Sequence, residues 1–405
     1  MTVLRLAELG PAVTVPLDVG DAHLLGATDV VEVRPGPDPG RWVVRAGRKV
    51  GVARIGGVEL HITPKVPVAR LLFLLGYARN PQRWRDETVA LPDEKDLVPA
   101  LAIALWRQTE RALRPGLIQG YRTLDATSPV LRGRLRETAQ LSRWLTAPQP
   151  LEIRYDEYTV DTTENRILAT AVDRMLRVPG IDPESRRMLR RLAARFVGVT
   201  RLRAGVPAPI WRPTRLNAHL RVALRLAELV LSGTSVEAGR GGTLANGFLL
   251  DMWRVYEDFL AEALRTAIEA RHGGTVLAQH RHHLDHAERL ELRPDVLWRD
   301  PAGRYAAIVD AKYKLDEARG DTYQMLAYCV AYGLPRGHLV YVAGKDLPRR
   351  HLVRNVDVEI VCHLLDLDLR PADLLARVDD LAAEIAAESA RSAPGRGAPD
   401  RGGAP

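Results

Sequence analysis

The sequence predicts a multidomain α+β protein. It has a β-rich N-terminal domain over residues 1–65, a mainly helical middle over 66–236, a C-terminal α/β domain with a mixed sheet over 237–385, and a disordered tail over 386–405. Three observations carry this reading. The N-terminal stretch alternates apolar and polar positions in short runs broken by glycine and proline, the pattern of strands and tight turns. The stretch after it changes to apolar stripes at helical spacing. Beyond the glycine-rich break "EAGRGGTLANG" at 237–247 the order becomes helix, strand, strand, helix, strand, which builds a compact domain of helices on a sheet.

The elements follow in chain order. "AVTVPLDV", "VVEVRPGPDPG" and "RWVVRAGRKVGVARIGGVELHI" read as strands of a small antiparallel sheet or barrel, with Gly56 and Gly57 as a turn. At "TPKVPVARLLFLLGYA" a helix begins after Pro67, and the prolines of "TPKVP" punctuate the exit from the β-domain. A longer helix is predicted over about 95–114. In "LEIRYDEYTVDTTENRILATAVDRMLR" (151–177) a strand passes into a helix capped near "DTTEN". Arginine-rich helices are expected over 184–204 and 213–232. In the C-terminal domain the expectation is a helix over 248–271, strands over 289–299 and 304–313, a helix over 319–333 and a strand over 337–344.

Charges sit where strands should be apolar. "LRPDVLWRDPAGRYAAIVDAKYKL" (292–315) places Asp310 and Lys312 inside an apolar run and Asp295 in the run before it. Side chains alternate along a strand, so Asp310 and Lys312 project from one face. "DPAG" (300–303) is a turn, and in an antiparallel pair centred on 302–303 the position opposite 310 is 295. Two carboxylates and an ammonium are therefore predicted to converge. Adjacent carboxylates repel unless a cation neutralises them, and oxygen ligands of this kind select a hard divalent ion such as Mg²⁺. A lysine beside that ion fits a site that also receives an anion, such as a scissile phosphate with its attacking water. The bland reading is a salt-bridge cluster on an edge strand, and the apolar remainder of 304–313 argues against an edge.

"RPD" at 293–295 with "DAK" at 310–312 resembles the PD-(D/E)xK nuclease signature, and "YQMLAY" at 323–328 resembles the Gln-x-x-x-Tyr variant of its RecB-like branch. "HITPKVPVARLLFLLGYA", "LRGRL", "YDEYTVDTTENRIL", "RPDVLWRD" with "VDAKYK", and "YQMLAYCVAYG" together resemble the McrC family, the nuclease subunits of McrBC modified-cytosine restriction systems. The resemblance spans about residues 50–345 and implies a restriction-endonuclease-like C-terminal domain. It implies that Asp295, Asp310 and the backbone carbonyl of Ala311 hold Mg²⁺, one or two ions, and that Lys312 orients the attacking water. Glu257 in "WRVYEDFL" takes the place of the helical acid. It lies between Trp253 at i−4 and Leu260 at i+3, which draws it toward the buried side. Asp251 and Asp258 are alternatives on the same helix. Gln324 and Tyr328, four apart, are expected to steady the site or to contact the nucleic-acid backbone, with ordinary helix packing as the equal alternative.

The implied partners are DNA and a McrB-like AAA+ GTPase ring, engaged through the N-terminal part. Two other readings stay open: a non-catalytic DNA-gripping scaffold that activates the GTPase, and a stand-alone RecB-like repair nuclease. Arg132, Arg134 and Arg136 alternate in "LRGRLR", suited to a nucleic-acid channel, a partner interface or a solvated face. The histidines at 280, 282, 283 and 286 include an i,i+4 pair but lack a matching ligand cluster, so the run reads as a solvated loop. "VAGKD" at 342–346 is not a P-loop, because Leu339 stands where its first glycine belongs, and no nucleotide is expected on this chain.

Composition sets the outer bounds. At 405 residues there is room for two or three domains, and 46% hydrophobic with 27% charged residues describes an ordinary globular chain. The net charge of +8, mostly arginine, suits a phosphate-rich partner and equally a GC-rich coding bias. Two distant cysteines, Cys329 and Cys362, exclude a cysteine zinc module and point to a reducing cytoplasm. Neither an export signal nor a membrane span is expected.

Overall fold

The computed structural model describes residues 1–79, 81, 96–143, 150–203, 206, 208–233, 246–313, 319–342 and 350–392. They form two compact units, one of residues 1–63 and 90–250 and the other of 64–89 and 251–405. The expected boundaries at 65/66 and 236/237 do not coincide with these units. The β-rich start and the helical middle form one body, while the segment after Thr63 joins the C-terminal one. No helix among the described residues is long and apolar enough to cross a membrane.

The first unit opens with β1 (Thr2–Ala7), β2 (Val13–Pro16), α1 (Val19–Gly26), β3 (Val31–Pro35), β4 (Arg41–Ala46), β5 (Lys49–Ile55) and β6 (Val58–Thr63). Helix α2 (Val68–Arg79) follows in the chain but belongs to the second unit. Helix α3 (Leu97–Ala112), β7 (Gly120–Ser128), β8 (Arg134–Leu135), α4 (Glu137–Arg143), β9 (Leu151–Thr159), α5 (Thr163–Arg177), α6 (Pro183–Ala194), α7 (Arg221–Ser232) and β10 (Asn246–Asp251) complete the series.

The N-terminal strands do not make a single antiparallel sheet or barrel. β2, β4 and β3 form one antiparallel sheet, while β1, β6, β5 and β10 form another in which β1 runs parallel to β6. β10 lies inside the stretch expected to start the long C-terminal helix. Its backbone comes so close to β5 that a Cβ on Gly51, held at φ +127°, would stand 2.1 Å from the Phe248 carbonyl oxygen. The arginine-rich helices are also shorter than expected. The first ends at Ala194, and the second begins at Arg221, directly after a 3-10 turn over Ala218–Leu220.

Side-chain capping sets two of the helix starts. Thr162 accepts the Asn165 N–H at the head of α5, and Asp182 accepts the Glu184 and Ser185 N–H groups at the head of α6, where Pro183 occupies the first turn. Helices α3, α5, α6 and α7 pack on one another through residues such as Leu101, Leu105, Ile167, Leu189 and Leu224, all buried.

The second unit is a six-stranded sheet between helices. It comprises α8 (Met252–His272), β11 (Thr275–Ala278), β12 (His282–His283), β13 (Glu291–Leu292), β14 (Val296–Arg299), β15 (Tyr305–Lys312), α9 (Arg319–Tyr332), β16 (Arg336–Val342), β17 (Arg350–Leu352), β18 (Glu359–Leu365) and α10 (Pro371–Ser392). The strand order is β11-β14-β15-β16-β18-β17, with β15, β16 and β18 parallel and the rest antiparallel, so the sheet is mixed as expected. α9 covers one face, joining Ile308, Leu339 and Tyr341 to Met325 and Cys329. α8 lies on the other face, where the Tyr256 hydroxyl donates to the Val340 carbonyl, and α2 and α10 pack against it.

α10 continues to Ser392, past the expected ordered limit at 385, because Leu381, Ala382, Ile385 and Ala386 carry its buried stripe onward. The rest of the tail, and the part of "VAGKD" beyond Val342, lie outside the described residues.

Candidate active site

The β14–β15 hairpin turns through Asp300–Gly303, where the Gly303 N–H donates to the Asp300 carbonyl at 2.8 Å. Val296 pairs with Val309 and Leu297 with Ile308, which is the register that the turn position predicts. The ladder stops at Val296, so Asp295 lies just past its end, opposite Asp310. β15 is third of six strands and buried along its centre, which removes the edge-strand reading of its charges. Asp295 and Asp310 are 8% and 4% exposed.

A local hydrogen bond sets the two carboxyls side by side. Asp295 Oδ2 accepts the Ala311 N–H at 2.7 Å, and Asp310 is the residue before that donor. In an extended strand the N–H and C=O of one residue point to the same edge. The Ala311 carbonyl is therefore directed to the edge of β15 where Asp295 lies and where β14 has ended. Asp310 Oδ2 meets the Lys312 ammonium as an ion pair and is otherwise buried without a hydrogen bond.

Lys312 connects the strand to α9. Its Nζ donates to Gln324 Oε1 at 2.8 Å and stands 3.9 Å from Asp321 Oδ1. Gln324 Nε2 donates to the Tyr328 hydroxyl at 2.9 Å, and that hydroxyl donates to the Arg293 carbonyl at 3.2 Å. Gln324 and Tyr328 thus form a hydrogen-bonded chain from Lys312 back to the residue two before Asp295. Tyr328 is buried while Gln324 is exposed. Asp321 was not expected from the sequence. It is 5% exposed and accepts a hydrogen bond from the Tyr341 hydroxyl at 3.3 Å. Its spacing of three before Gln324 and seven before Tyr328, one face of a helix, is the signal that marks it.

Glu257, half-buried on α8, lines the same cleft of about 540 Å³ as Asp295, Asp310, Lys312, Gln324 and Tyr328. Asp258 is exposed at its rim, and Asp251, at the start of α8, does not line it. Burial, followed by the charges of Asp295 and Asp310, pushes the Glu257 carboxyl up to about 8. Asp295 is raised by burial and by Asp310, and Asp310 is raised by burial against the opposing pull of Lys312. Burial first, and then these carboxylates, raise the Tyr328 hydroxyl as well. Among the described residues, Asp295, Asp310 and Glu257 line the cleft around Lys312, with the exposed Arg254 and Arg293 in the same lining.

The two buried carboxyls brought side by side and the all-oxygen donor set fit a hard divalent cation. Among the described residues no three His, Cys, Asp or Glu side chains converge closely enough to hold an ion by themselves. Two carboxylates with the Ala311 carbonyl therefore form the donor set that fits.

The other sequence candidates lie elsewhere. Arg132, Arg134 and Arg136 are on the first unit. Arg132 stacks 5.1 Å from the centre of the Tyr155 ring, Arg134 pairs with Arg154 in the β8–β9 ladder, and Arg136 makes ion pairs with Asp125 and Glu152. His282 and His283 form the short strand β12, and His280 and His282 lie against Tyr332.

Residues 44–342 match the model of the family described as "McrBC 5-methylcytosine restriction system component". The fold is similar to a chain in the refined half-complex from a tetradecameric assembly of Thermococcus gammatolerans McrB AAA+ hexamers with bound McrC. That alignment has a TM-score of 0.58 at 17% identity, over 95% of this chain and 100% of the other. A chain in the cryo-EM structure of the Thermococcus gammatolerans McrBC complex aligns over 66% of this chain and 88% of its own length, with 19% identity and a TM-score of 0.38. No curated protein matches.

Proposed function

The chain belongs to the McrBC 5-methylcytosine restriction system component family, and from that premise we propose that it is the McrC-type subunit, a Mg²⁺-dependent endonuclease that hydrolyses DNA phosphodiester bonds. The observation that carries this is the buried convergence of Asp295, Asp310 and Lys312 at the end of the β14–β15 hairpin. A purely structural role does not account for two buried acids, each raised by burial, beside one lysine.

In this reading Asp295, Asp310 and the Ala311 carbonyl hold the cation. Mg²⁺ bound there supplies electrophilic stabilisation to the scissile phosphate. The Lys312 ammonium orients the attacking water and stabilises the negative charge that develops on the phosphoryl oxygens. Gln324 and Tyr328 keep the lysine aimed, since each is linked to it directly or through the other. Glu257, held up to about 8, retains a proton through much of the neutral range and completes the acidic wall of the cleft.

The partner in this proposal is a McrB-like AAA+ GTPase ring, which reads the 5-methylcytosine-type modification and whose hydrolysis this subunit stimulates through its first unit. The solved assembly of McrB hexamers with bound McrC supports that pairing. The two cysteines are buried free thiols, and this supports the cytoplasm as the compartment.

The test is cleavage of modified DNA by the chain with its partner GTPase, GTP and Mg²⁺, comparing wild type with Asp310→Ala and Lys312→Ala. Loss of at least a hundredfold in both variants is the expected result. Wild-type rates in both would overturn the site. DNA retention with GTPase stimulation but no cutting by wild type would leave the scaffold reading, and cutting without the partner would favour a stand-alone nuclease.

A further inference from the structure

We infer that Asp321 is a positioning residue that, with Gln324, holds the Lys312 ammonium when a divalent cation takes up Asp310. The inference rests on the cation-site reading above and adds to it a second anion, supplied by the helix rather than by the hairpin.

The lysine has two sets of neighbours. Asp310 lies on its own strand, two residues away, and is its ion-pair partner. Gln324 at 2.8 Å and Asp321 at 3.9 Å both come from α9. Asp310 cannot give its charge fully to a cation and to Lys312 at once. As Asp310 turns to the cation, an ammonium beside a divalent ion is repelled and must either leave the cleft or find another counter-charge. Gln324 offers a dipole only. Asp321 offers a full charge, is buried, and is held in place by the Tyr341 hydroxyl from β16 at 3.3 Å.

The distances describe a graded arrangement. In the present geometry Lys312 leans on Asp310, and Asp321 stands just within ion-pair range. A shift of the ammonium by about 1 Å toward Asp321 exchanges the two ion-pair partners. Asp321 thereby keeps Lys312 near the phosphate position, and it lowers the cost of placing two cationic centres side by side. A residue at this position whose only role was to cap Tyr341 would have no reason to be coupled to Lys312.

A double-mutant cycle on the full chain separates the two roles, read as Mn²⁺ affinity by electron paramagnetic resonance rather than as activity. Wild type, Asp321→Asn, Lys312→Met and the double variant are compared. Asparagine retains an oxygen acceptor for Tyr341, so the fold is kept while the charge is removed. Asp321→Asn is expected to weaken Mn²⁺ about tenfold in the wild-type background and less than twofold in the Lys312→Met background, since the repulsion it relieves is then gone. Asp321→Glu is expected to recover affinity to within about threefold of wild type. Equal losses from Asp321→Asn in both backgrounds would overturn the inference and leave the cation site standing. Absence of Mn²⁺ binding by wild type, or undiminished binding by Asp310→Asn, would overturn the cation site itself and this inference with it.

Discussion

Asp295 Oδ2 accepts the Ala311 N–H at 2.7 Å, which sets its carboxyl beside Asp310, two acids from opposite strands of one hairpin brought together past the last paired residue, Val296. The hairpin register places them, and the cover of helices on both sheet faces buries them. From that relationship comes a site whose acids resist ionisation until a cation arrives.

The first consequence concerns pH. The Asp295 pKa is raised to about 7 by burial and by Asp310. A carboxyl raised on folding adds stability that is fully present below its unfolded pKa near 4 and lost as pH rises through the folded value. The metal-free protein should therefore lose roughly 2 kcal/mol relative to Asp295→Asn between pH 5 and pH 8.5. Urea denaturation of both proteins across that range, without divalent ions, measures it. A difference that does not change with pH would contradict the assigned burial, and added Mg²⁺ should restore the wild type at pH 8.5.

Tyr328→Phe removes a hydroxyl that donates to the Arg293 carbonyl and accepts from Gln324. Stability should fall by about 1–2 kcal/mol, the usual worth of two hydrogen bonds of which one involves an exposed partner. The catalytic effect should appear in kcat, about tenfold, with KM little changed, because the residue aims Lys312 rather than binding substrate. Steady-state cleavage kinetics with the partner GTPase would show the split.

On the first unit Asp161 is the hub of a charged network. It accepts from Arg122 at 2.6 Å, from Arg166, and from both the N–H and hydroxyl of Thr200. The Arg166 hydrogen bonds lead the effects that hold its carboxyl well below the usual range. Asp161→Asn should cost about 3 kcal/mol at neutral pH. Because the pKa is depressed on folding, that advantage of the wild type should fade as pH falls below about 4. Denaturant titrations at pH 7 and pH 3 distinguish this from a pH-independent packing loss.

Gly133 gives the "LRGRL" stretch a structural reason. It adopts φ +74°, and a Cβ there would stand 2.2 Å from the Arg154 carbonyl oxygen across the β8–β9 ladder. Gly133→Ala should displace β8 and lower stability by about 2 kcal/mol or more, from left-handed strain added to the clash. Amide exchange at Arg154 and Leu135 should accelerate in the variant.

Much of the site was legible because its determinants are local. Strand parity, a four-residue turn and helical spacing place Asp310, Lys312, Asp295, Gln324 and Tyr328, and each of these depends on a few neighbouring residues. Glu257 emerged among three acids on one helix only through burial, which the sequence expresses weakly. Asp321 was missed because its significance depends on Tyr341 from a strand that reaches it through the parallel β15–β16 pairing. The same limit hid the parallel β1–β6 pair and the placement of β10 beside β5, since no turn links such partners. The arginine-rich helices were read too long because arginine favours helix at every position, while the breaks after Ala194 and before Arg221 depend on tertiary packing.

The most direct test is a crystal structure of the chain grown with Mn²⁺, in place of Mg²⁺, with anomalous scattering recorded near the manganese edge. The account predicts one anomalous peak between the Asp295 and Asp310 carboxylates, within about 2.3 Å of an oxygen from each and of the Ala311 carbonyl, with Lys312 moved toward Asp321. No peak there at saturating Mn²⁺, with Lys312 still paired to Asp310, would contradict it.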